Sequence, residues 1–417
     1  NPKNSRKIES ARGVLHPGDL IWVHSPPRWL RRRAWGGPGE KITKMVLDQR
    51  PIFEGTLFTY DHHSGYVLTM IGGLDYDRSN YNRVVQACRQ PASAFKPFYY
   101  SLALDNPTLS MATILQDKAH TPEPGETWNP QNVHGTLSGE VTMHYALVKS
   151  LNLASIDLLR QVGFKETSRW ARHLGLSTID PKQAEKVKWG LALGTQCVRM
   201  DEMGRAFATF ARGGSQRDPV YIRQIRDRSG QLIEDHTVPE DPLLSEDDRL
   251  DRIWATALPA PRQVIDSTTA YLMTKLLRDS VVHGIAARCQ IVPVPTAGKG
   301  GTSGKRQDGH ARVWDLWFVG FTSQWTAVAW VGDDKNRSLG QEEGSYTAAI
   351  PMWANFMKQA VGKRPHKELP ASSSKGLRAT QIDFATGKAP QAGHKSVTIY
   401  YRPGSFTPPV AKAAGPG

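Results

Sequence analysis

Two apolar runs in the last third of the chain, separated by only three residues, constrain the fold more than any other feature of the sequence. The first covers residues 314–321 and the second residues 325–332, and both are rich in tryptophan and other apolar side chains. Runs of this length and composition are typical of β-strands, and so short a connection joins strands that pair antiparallel. The sequence therefore predicts an antiparallel hairpin here.

A second predicted hairpin lies upstream, where the β-prone residues 56–60 and 66–71 flank a turn sequence. Helical patterns cover residues 142–149, 153–162, 165–174, 200–212, 267–282 and 348–361. We expect Ser267 or Thr268 to be the N-cap of the helix that begins there. Strands, then helices, then strands and a closing helix indicate an α+β fold, in which helices cover an antiparallel sheet.

Composition narrows the classes of partner. The chain has 417 residues and a formal net charge of +14, which favours attraction to an anionic polymer or a lipid surface. It carries no zinc knuckle, RNP-type motif or helix-turn-helix signature, so we do not expect a nucleic-acid partner. No run of 18 apolar residues is present, so we do not expect this chain itself to span a membrane.

The cysteines and histidines give no pattern of metal ligands. Cys88, Cys197 and Cys289 lie far apart, and their odd number leaves at least one free thiol or an intermolecular bond. His62 and His63 are adjacent but lack nearby partner ligands, so we interpret them as turn residues. We therefore expect neither a metal ion nor a cofactor.

The segment with the strongest chemical pattern begins at Ser93. Lys96 follows three residues later at the start of a predicted helix, which puts both side chains on one face, about one turn apart. A neutral amine beside the hydroxyl can accept its proton and make it a nucleophile. The unpaired N–H groups of a helix's first turn can stabilise an oxyanion. A lone Ser-x-x-Lys is a weak signal, but here an aromatic and apolar run follows it.

Two further stretches carry complementary chemistry. Ser150 and Asn152 lie two residues apart at the junction of two predicted helices, where a hydroxyl and an amide can point the same way. Lys299 lies in the glycine-rich segment 296–304, whose glycines allow a substrate backbone to approach a sheet edge closely. Ser-x-x-Lys, Ser-x-Asn and Lys-Thr-Gly-like elements together form the set found in penicillin-binding proteins and β-lactamases.

With these motifs the sequence resembles the transpeptidase domain of class A (bifunctional) penicillin-binding proteins, of the 1A type. The matching stretches follow the family's order and are residues 89–98, 148–152, 191–195, 206–214, 297–302, 315–320 and 349–357. The resemblance implies the penicillin-binding protein/β-lactamase-like fold, with an antiparallel five-stranded sheet covered by helices on both faces and a mostly helical subdomain.

The resemblance also implies a division of the chain. Residues 1–52 would be the end of a small β (OB-like) module, residues 53–362 the transpeptidase domain, and residues 363–417 a C-terminal extension that is partly disordered. The family's glycosyltransferase domain and membrane anchor are not expected in this chain. We expect the family's location, on the periplasmic (extracytoplasmic) side of the inner membrane to which the full-length protein is anchored.

The implied activity is D,D-transpeptidation: cross-linking of peptidoglycan stem peptides on lipid II-derived glycan strands, with inhibition by β-lactam antibiotics. In this interpretation Ser93 forms the acyl-enzyme and Lys96 takes the proton of its hydroxyl. Ser150 relays a proton to the leaving amine, and Lys299 supports Ser150 and the substrate carboxylate. Cell-wall synthesis regulators are further expected partners.

We expect four substrate-binding residues, of which the same resemblance implies Asn152 and Thr302. Asn152 hydrogen-bonds the donor peptide, and Thr302 contacts its terminal carboxylate. The N–H groups of Ser93 and Thr302 form the oxyanion hole. Gly301 permits close approach of the substrate backbone, and Ser303 adds a hydroxyl.

The chain departs from the family pattern at Gly300, where the third motif normally has threonine or serine. The missing hydroxyl removes a charge-assisted hydrogen bond to the substrate carboxylate, worth about 1.5–3 kcal/mol. The charged connection between Ser303 and Trp314 also looks longer than usual. We expect Ser303 or the cations of this connection to replace part of the lost contact; they are Lys305, Arg306, His310 and Arg312.

Two alternatives stay open. Gly300 favours a catalytically weakened domain that binds peptidoglycan or partner proteins. A D,D-carboxypeptidase or β-lactamase-like hydrolase would share Ser93, Lys96 and Lys299, but it also needs a positioned base that activates water, and no carboxylate occurs in a recognisable context for that role.

Overall fold

The structure is a computed structural model in which residues 22–24, 46–48, 51–120, 128–133, 135–239, 241, 243–255, 262–307, 310–340, 342–362, 368–369 and 374–408 are described. The chain divides into two compact units, Asn1–Glu54 and Gly55–Gly417. In the first unit, strands β1 (Trp22–His24) and β2 (Val46–Asp48) pair antiparallel.

Thirteen further strands are found among the described residues. They are β3 (Glu54–Asp61), β4 (Val67–Ile71), β5 (Ile114–Asp117), β6 (Gly139–Thr142), β7 (Ser215–Gln216), β8 (Gln224–Arg226), β9 (Leu232–Asp235), β10 (Arg262–Gln263), β11 (Ala297–Gln307), β12 (His310–Phe321), β13 (Trp325–Gly332), β14 (Arg378–Asp383) and β15 (Ser396–Tyr401). The helices are α1 (Lys96–Asp105), α2 (Met143–Val148), α3 (Asn152–Val162), α4 (Phe164–His173), α5 (Ala184–Val187), α6 (Met200–Ala211), α7 (Glu246–Ala255), α8 (Ser267–His283) and α9 (Ala349–Val361). Short 3₁₀ turns cover Ala92–Phe95, Pro181–Gln183, Lys188–Leu193 and Ile285–Ile291.

The central element is a five-stranded antiparallel sheet in the order β11-β12-β13-β3-β4. Both predicted hairpins are confirmed, because β12 pairs with β13 and β3 pairs with β4. The charged segment after Ser303 forms part of the sheet. These residues extend the β11–β12 ladder past a register shift at Ser303/Gly304, and Lys305 pairs with Arg312.

Side chains of the central strands alternate between two hydrophobic clusters, as the two-residue period of a strand requires. Trp317 and Val319 of β12 belong to the larger cluster, which also contains buried residues of α1, α6 and α8. Leu316 and Phe318 face the other way, onto α9 and Trp353. Helices therefore cover both faces of the sheet, which confirms the predicted α+β architecture.

Helix ends follow local chemistry, with one difference from the prediction. Gly163, which follows α3, has a positive φ of 87°, a conformation that glycine adopts without the steric cost of a Cβ. At the start of α8, neither Ser267 nor Thr268 is the N-cap. The carboxylate of Asp266 instead accepts hydrogen bonds from the N–H groups of Thr268 and Thr269.

The C-terminal hairpin of β14 and β15 packs against the larger hydrophobic cluster, with Ile382 and Ile399 fully buried. Arg402, directly after β15, donates hydrogen bonds to the carbonyl of Leu104 and, over 2.8 Å, to Thr269 Oγ1. The last residues, where disorder is expected from the sequence, lie outside the described residues. Across the part of the chain that is described, no helix has the length and apolar character needed to cross a membrane.

Candidate active site

Ser93 lies in the 3₁₀ turn Ala92–Phe95, which leads directly into α1. Ala94 and Phe95, which follow Ser93 in the turn, are fully buried, whereas Ser93 is partly exposed. Ala92 has a positive φ of 49°, unusual for a residue with a Cβ, and its N–H donates to Gly194 O over 3.3 Å. The turn is thus held to Gly194, and the Ser93 side chain stays accessible.

Lys96, the first residue of α1, is fully buried at the centre of the site. Its Nζ lies within hydrogen-bonding distance of three acceptors: Ser150 O at 2.8 Å, Leu151 O at 3.0 Å and Asn152 Oδ1 at 2.9 Å. A neutral amine has two N–H groups, so it can donate to two of them. Burial, with a smaller effect of the positive charge on Lys299, lowers the pKa of Lys96 well below its usual value. A lowered pKa makes the neutral amine easier to form than in an exposed lysine. Among the described residues, no hydrogen bond joins Lys96 Nζ to Ser93 Oγ.

Ser150 lies between two lysines. Lys299 Nζ donates to Ser150 Oγ at 2.8 Å, and Lys96 Nζ lies 3.5 Å from the same oxygen. Ser150 has a positive φ of 57°, a strained conformation that turns its hydroxyl toward both amines at the junction of α2 and α3. Burial lowers the pKa of Lys299 to about 7. The three side chains form a connected path for protons.

Asn152 begins α3 and uses both ends of its side-chain amide within the protein. Its Oδ1 accepts from Lys96, and its Nδ2 donates to Gln131 O over 2.9 Å. An amide group has a second N–H and a second lone pair, so one donor and one acceptor position remain. The role of Asn152 in substrate binding stays a prediction, and the structure adds a contact to Lys96 that the sequence did not indicate.

A buried pair supports this junction from below. Asn132 Oδ1 accepts from the N–H groups of Asn152 at 2.8 Å and Leu153 at 3.3 Å, and so caps α3, whose own N-cap residue offers no side-chain hydrogen bond. Asn132 Nδ2 in turn donates to the fully buried carboxylate of Asp117 over 2.8 Å. Sequence reasoning missed both residues, because neither belongs to a motif.

Strand β11 places the other predicted residues beside Ser93. A Cβ on Gly301 would lie 2.1 Å from Pro91 O and 3.0 Å from Ala94 N, so only glycine fits where β11 passes the Ser93 turn. Thr302 Oγ1 accepts a hydrogen bond from Ser345 N at 2.9 Å. The substrate contacts assigned to Gly301 and Thr302 stay predictions.

The structure describes the side chains of Ser303 and of two of the four predicted cations that follow it. Ser303 Oγ donates to Gln90 Oε1 at 2.7 Å. Lys305 and Arg312 are exposed, and the side chains of Arg306 and His310 lie outside the described part of the chain. The predicted compensation by Ser303 or by these cations gains no contact that supports it.

A disulfide between Cys88 and Cys197 lies just before the turn that carries Ser93. Beside it, the N–H and carbonyl groups of Arg89 pair with those of Val198, at 3.0 and 2.9 Å. The Arg89 guanidinium forms an ion pair with the buried carboxylate of Asp315 in β12, with 2.7 Å between Nε and Oδ1. The segment is thus held to two neighbouring elements. The spacing of the cysteines gave no signal of this pairing; the third, Cys289, is buried and free.

One of the two adjacent histidines, His62, is packed inside the protein. His62 is fully buried, its Nδ1 lies 3.1 Å from Thr326 Oγ1, and burial lowers its pKa to about 3. Among the described residues, no group of three or more His, Cys, Asp or Glu side chains is arranged to hold a metal ion.

Known proteins share this arrangement of elements. Residues 55–357 match the family described as penicillin binding protein transpeptidase domain. The chain is 30% identical over 402 residues to penicillin-binding protein 1A of Pseudomonas aeruginosa, an alignment that covers 88% of this chain and 47% of that protein. The structure of penicillin-binding protein 1A from Haemophilus influenzae is similar with a TM-score of 0.73 at 25% identity, over 94% of this chain and 57% of that one.

A third comparison concerns the fold. The PonA1 protein of Mycobacterium tuberculosis in complex with penicillin V is 21% identical and has a TM-score of 0.63, over 78% of this chain and 82% of that one. The family match contains Ser93, Lys96, Ser150 and Lys299, and it extends over most of the larger unit. The chain therefore belongs to the penicillin-binding protein transpeptidase domain family.

Proposed function

We propose that this chain is a D,D-transpeptidase that cross-links peptidoglycan stem peptides through an acyl-enzyme on Ser93, and that β-lactams acylate the same residue. The observation that carries the proposal is the path formed by buried Lys96, Ser150 and Lys299, with 2.8 Å between Lys299 Nζ and Ser150 Oγ, next to the turn that bears Ser93. A buried lysine of lowered pKa beside a serine is the arrangement that activates a hydroxyl.

The chemical steps follow from these positions. Ser93 Oγ attacks the carbonyl between the two terminal D-alanines, and neutral Lys96 takes the hydroxyl proton. The oxyanion forms opposite the N–H groups of Ser93 and Thr302, since Gly301 brings β11 against the turn; each such donor contributes about 2.7–4 kcal/mol. Ser150 passes a proton to the amine of the departing D-alanine. An amine of a second stem peptide then attacks the ester and releases Ser93.

The β-lactam part of the proposal rests on chemistry and on one comparison. A β-lactam presents a reactive amide carbonyl and a carboxylate, as the D-Ala-D-Ala terminus does. The solved complex of the Mycobacterium tuberculosis PonA1 protein contains penicillin V, and its fold is the one found here. We extend that binding to Ser93 of this chain.

The proposed location is the extracytoplasmic side of the inner membrane. The disulfide between Cys88 and Cys197 supports this, because disulfides persist in oxidising compartments such as the periplasm. Because the chain covers 47% of its Pseudomonas aeruginosa relative, the membrane anchor and the contacts with cell-wall synthesis regulators are proposed for the full-length protein.

The test is intact-mass detection of a covalent benzylpenicillin adduct. We expect one stable adduct in the wild type and in Ser229→Ala, whose serine lies in an exposed turn, and none in Ser93→Ala. An adduct that persists in Ser93→Ala would overturn the assignment of the nucleophile.

A second function is favoured by one observation, the absence of a side chain at Gly300. A domain that lacks this contact and binds peptidoglycan without chemistry would form no adduct while still retaining stem peptides. A β-lactamase-like hydrolase would form an adduct that is lost within seconds. The lifetime of the adduct therefore separates the three functions.

A further inference from the structure

The hydroxyl that β11 lacks at Gly300 has a counterpart on a neighbouring loop. A Cβ built on Gly300 would lie 2.7 Å from Ser345 Oγ and 3.2 Å from Ser345 Cβ. Ser345 thus occupies the space into which a threonine or serine at position 300 would project. Position 300 has no side chain, but a hydroxyl lies beside it.

Ser345 also contacts the next residue on the same side of the strand. Side chains two residues apart in a strand share a face, so positions 300 and 302 point the same way. The N–H of Ser345 donates to Thr302 Oγ1 at 2.9 Å. Since Thr302 Oγ1 accepts that bond, its own hydroxyl proton is free to donate to a ligand.

The loop that carries Ser345 is well fixed. Ser345 O accepts a hydrogen bond from Ile350 N at 2.8 Å, in the first turn of α9, and the residue is only 5% exposed. Thr347 Oγ1 bonds both the N–H and the carbonyl of Gly344 and so closes the turn around Ser345. Within the described part of the chain, the Ser345 hydroxyl makes no hydrogen bond of its own. It is a nearly buried donor without a partner, beside the strand that would bind substrate.

We propose that Ser345 Oγ, together with Thr302 Oγ1, binds the terminal carboxylate of the acyl donor in place of the hydroxyl missing at Gly300. This inference rests on the proposed function for the identity of the ligand. Gly300 and Ser345 then act as a complementary pair, since a Cβ at position 300 and the Ser345 side chain in its present position exclude each other. The proposal replaces the expectation that Ser303 or the charged residues after it supply the contact.

The first test compares acylation rates for benzylpenicillin and for its methyl ester, in which the carboxylate is masked. A hydrogen bond to a charged group corresponds to a factor of roughly 10 to 100, so we expect Ser345→Ala to slow acylation by benzylpenicillin to that extent and to leave the ester rate nearly unchanged. Ser345→Thr keeps the hydroxyl and should retain most of the rate. Tyr346→Phe, which removes an exposed hydroxyl from the same loop, is the matched control. Equal slowing with both compounds would overturn the proposal.

A second pair of variants tests the complementarity. Gly300→Ala displaces the Ser345 hydroxyl without supplying another, so it should slow benzylpenicillin acylation as much as Ser345→Ala. The swap Gly300→Thr with Ser345→Gly moves the hydroxyl back to the strand and should recover the rate. A swap variant slower than both single variants, while folded by thermal denaturation, would contradict the pairing.

A binding measurement separates this inference from the proposed function. In the Ser93→Ala background, NMR titration with a peptide ending in D-Ala-D-Ala and with its C-terminal amide requires no acylation. We expect Ser345→Ala to weaken binding of the acid roughly tenfold or more and to leave the amide unchanged. If the wild type forms no penicillin adduct but this difference is present, the proposed transpeptidation fails and the carboxylate site stands. If Ser345→Ala binds both peptides as tightly as the Ser93→Ala parent does, the carboxylate site is refuted.

Discussion

Replacement of Asn132 by alanine should disturb the active site, although Asn132 makes no hydrogen bond to Ser93 or Lys96 among the described residues. Its Oδ1 caps α3 through the N–H groups of Asn152 and Leu153, at 2.8 and 3.3 Å. Its Nδ2 donates to both carboxylate oxygens of Asp117, at 2.8 and 3.1 Å, and to Thr136 O at 2.9 Å. Alanine removes all five contacts, and Asp117 keeps only the N–H of Ser138 among the donors that the described residues supply.

The magnitude follows from what is left unpaired. A buried polar group that loses its partner costs about 1–3 kcal/mol, and loss of a helix cap costs about 1 kcal/mol. We therefore expect the free energy of unfolding of Asn132→Ala to fall by about 2–4 kcal/mol. Asn152 Oδ1, at the start of α3, accepts a hydrogen bond from Lys96. A small displacement of this helix should therefore also slow penicillin acylation, by about 10- to 100-fold.

Asn132→Asp separates the two roles of this side chain. Aspartate keeps an acceptor for α3 but places a second carboxylate beside Asp117, so one of the two pKa values rises in the folded state. A raised carboxyl pKa contributes stability at low pH and loses it as the pH rises through that pKa. The free energy of unfolding of Asn132→Asp should therefore lie only slightly below that of the wild type near pH 4, and the difference should grow toward pH 8.

Urea denaturation at several pH values and penicillin acylation kinetics measure both effects. Gln131→Ala is the matched control, because its exposed side chain is removed while the backbone carbonyl that receives Asn152 Nδ2 remains. An Asn132→Ala variant with unchanged stability and acylation would refute the supporting role. A deficit in Asn132→Asp that does not depend on pH would refute the electrostatic part alone.

Three further outcomes follow from the structure. Because burial lowers the pKa of Lys299 to about 7, the unfolded state binds more protons above that pH, so the free energy of unfolding should rise from pH 7 toward pH 10. Lys299→Met should lose part of this slope, and the rest comes from Lys96, whose pKa burial also lowers. Cys88→Ala with Cys197→Ala, in a loop of 109 residues, should lower the free energy of unfolding by about 3–5 kcal/mol, measured by urea denaturation without reductant. Gly301→Ala should abolish penicillin acylation, since its Cβ would overlap a backbone carbonyl, whereas Gly55→Ala, which meets only side chains at 3.7 Å or more, should not.

The parts of the fold that the sequence predicted are those with local signals. Both hairpins of the central sheet follow from short connections between β-prone runs, and α3 ends directly before Gly163, whose φ is positive. The N-cap of α8 shows the limit of such signals. Asp266, Ser267 and Thr268 are all good capping residues, and the backbone conformation at Asp266 decides among them.

The residues of the candidate site also fall into those with a local signal in the sequence and those without one. Ser93, Lys96, Ser150 and Lys299 could be found because each lies in a short pattern with chemical meaning, and the fold then brings three of these patterns within hydrogen-bonding distance of one another. The contacts that support them have no such pattern. The two cysteines of the disulfide are 109 residues apart, and a single asparagine, Asn132, carries no local signal of what it will cap.

Gly300 shows why a departure from a motif is better interpreted in three dimensions than in sequence. Along the chain, the missing hydroxyl indicates a weakened site, and the nearest polar residues are the natural candidates to replace it. The pairing of β11 with β12 carries the following residues along an extended ladder, and Ser303 turns to Gln90. The hydroxyl beside the vacant position instead comes from Ser345, beyond two strands, on the loop that leads into α9. A motif residue and its replacement need share only a place in space, because a substrate carboxylate responds to the position of a donor and not to the element that carries it.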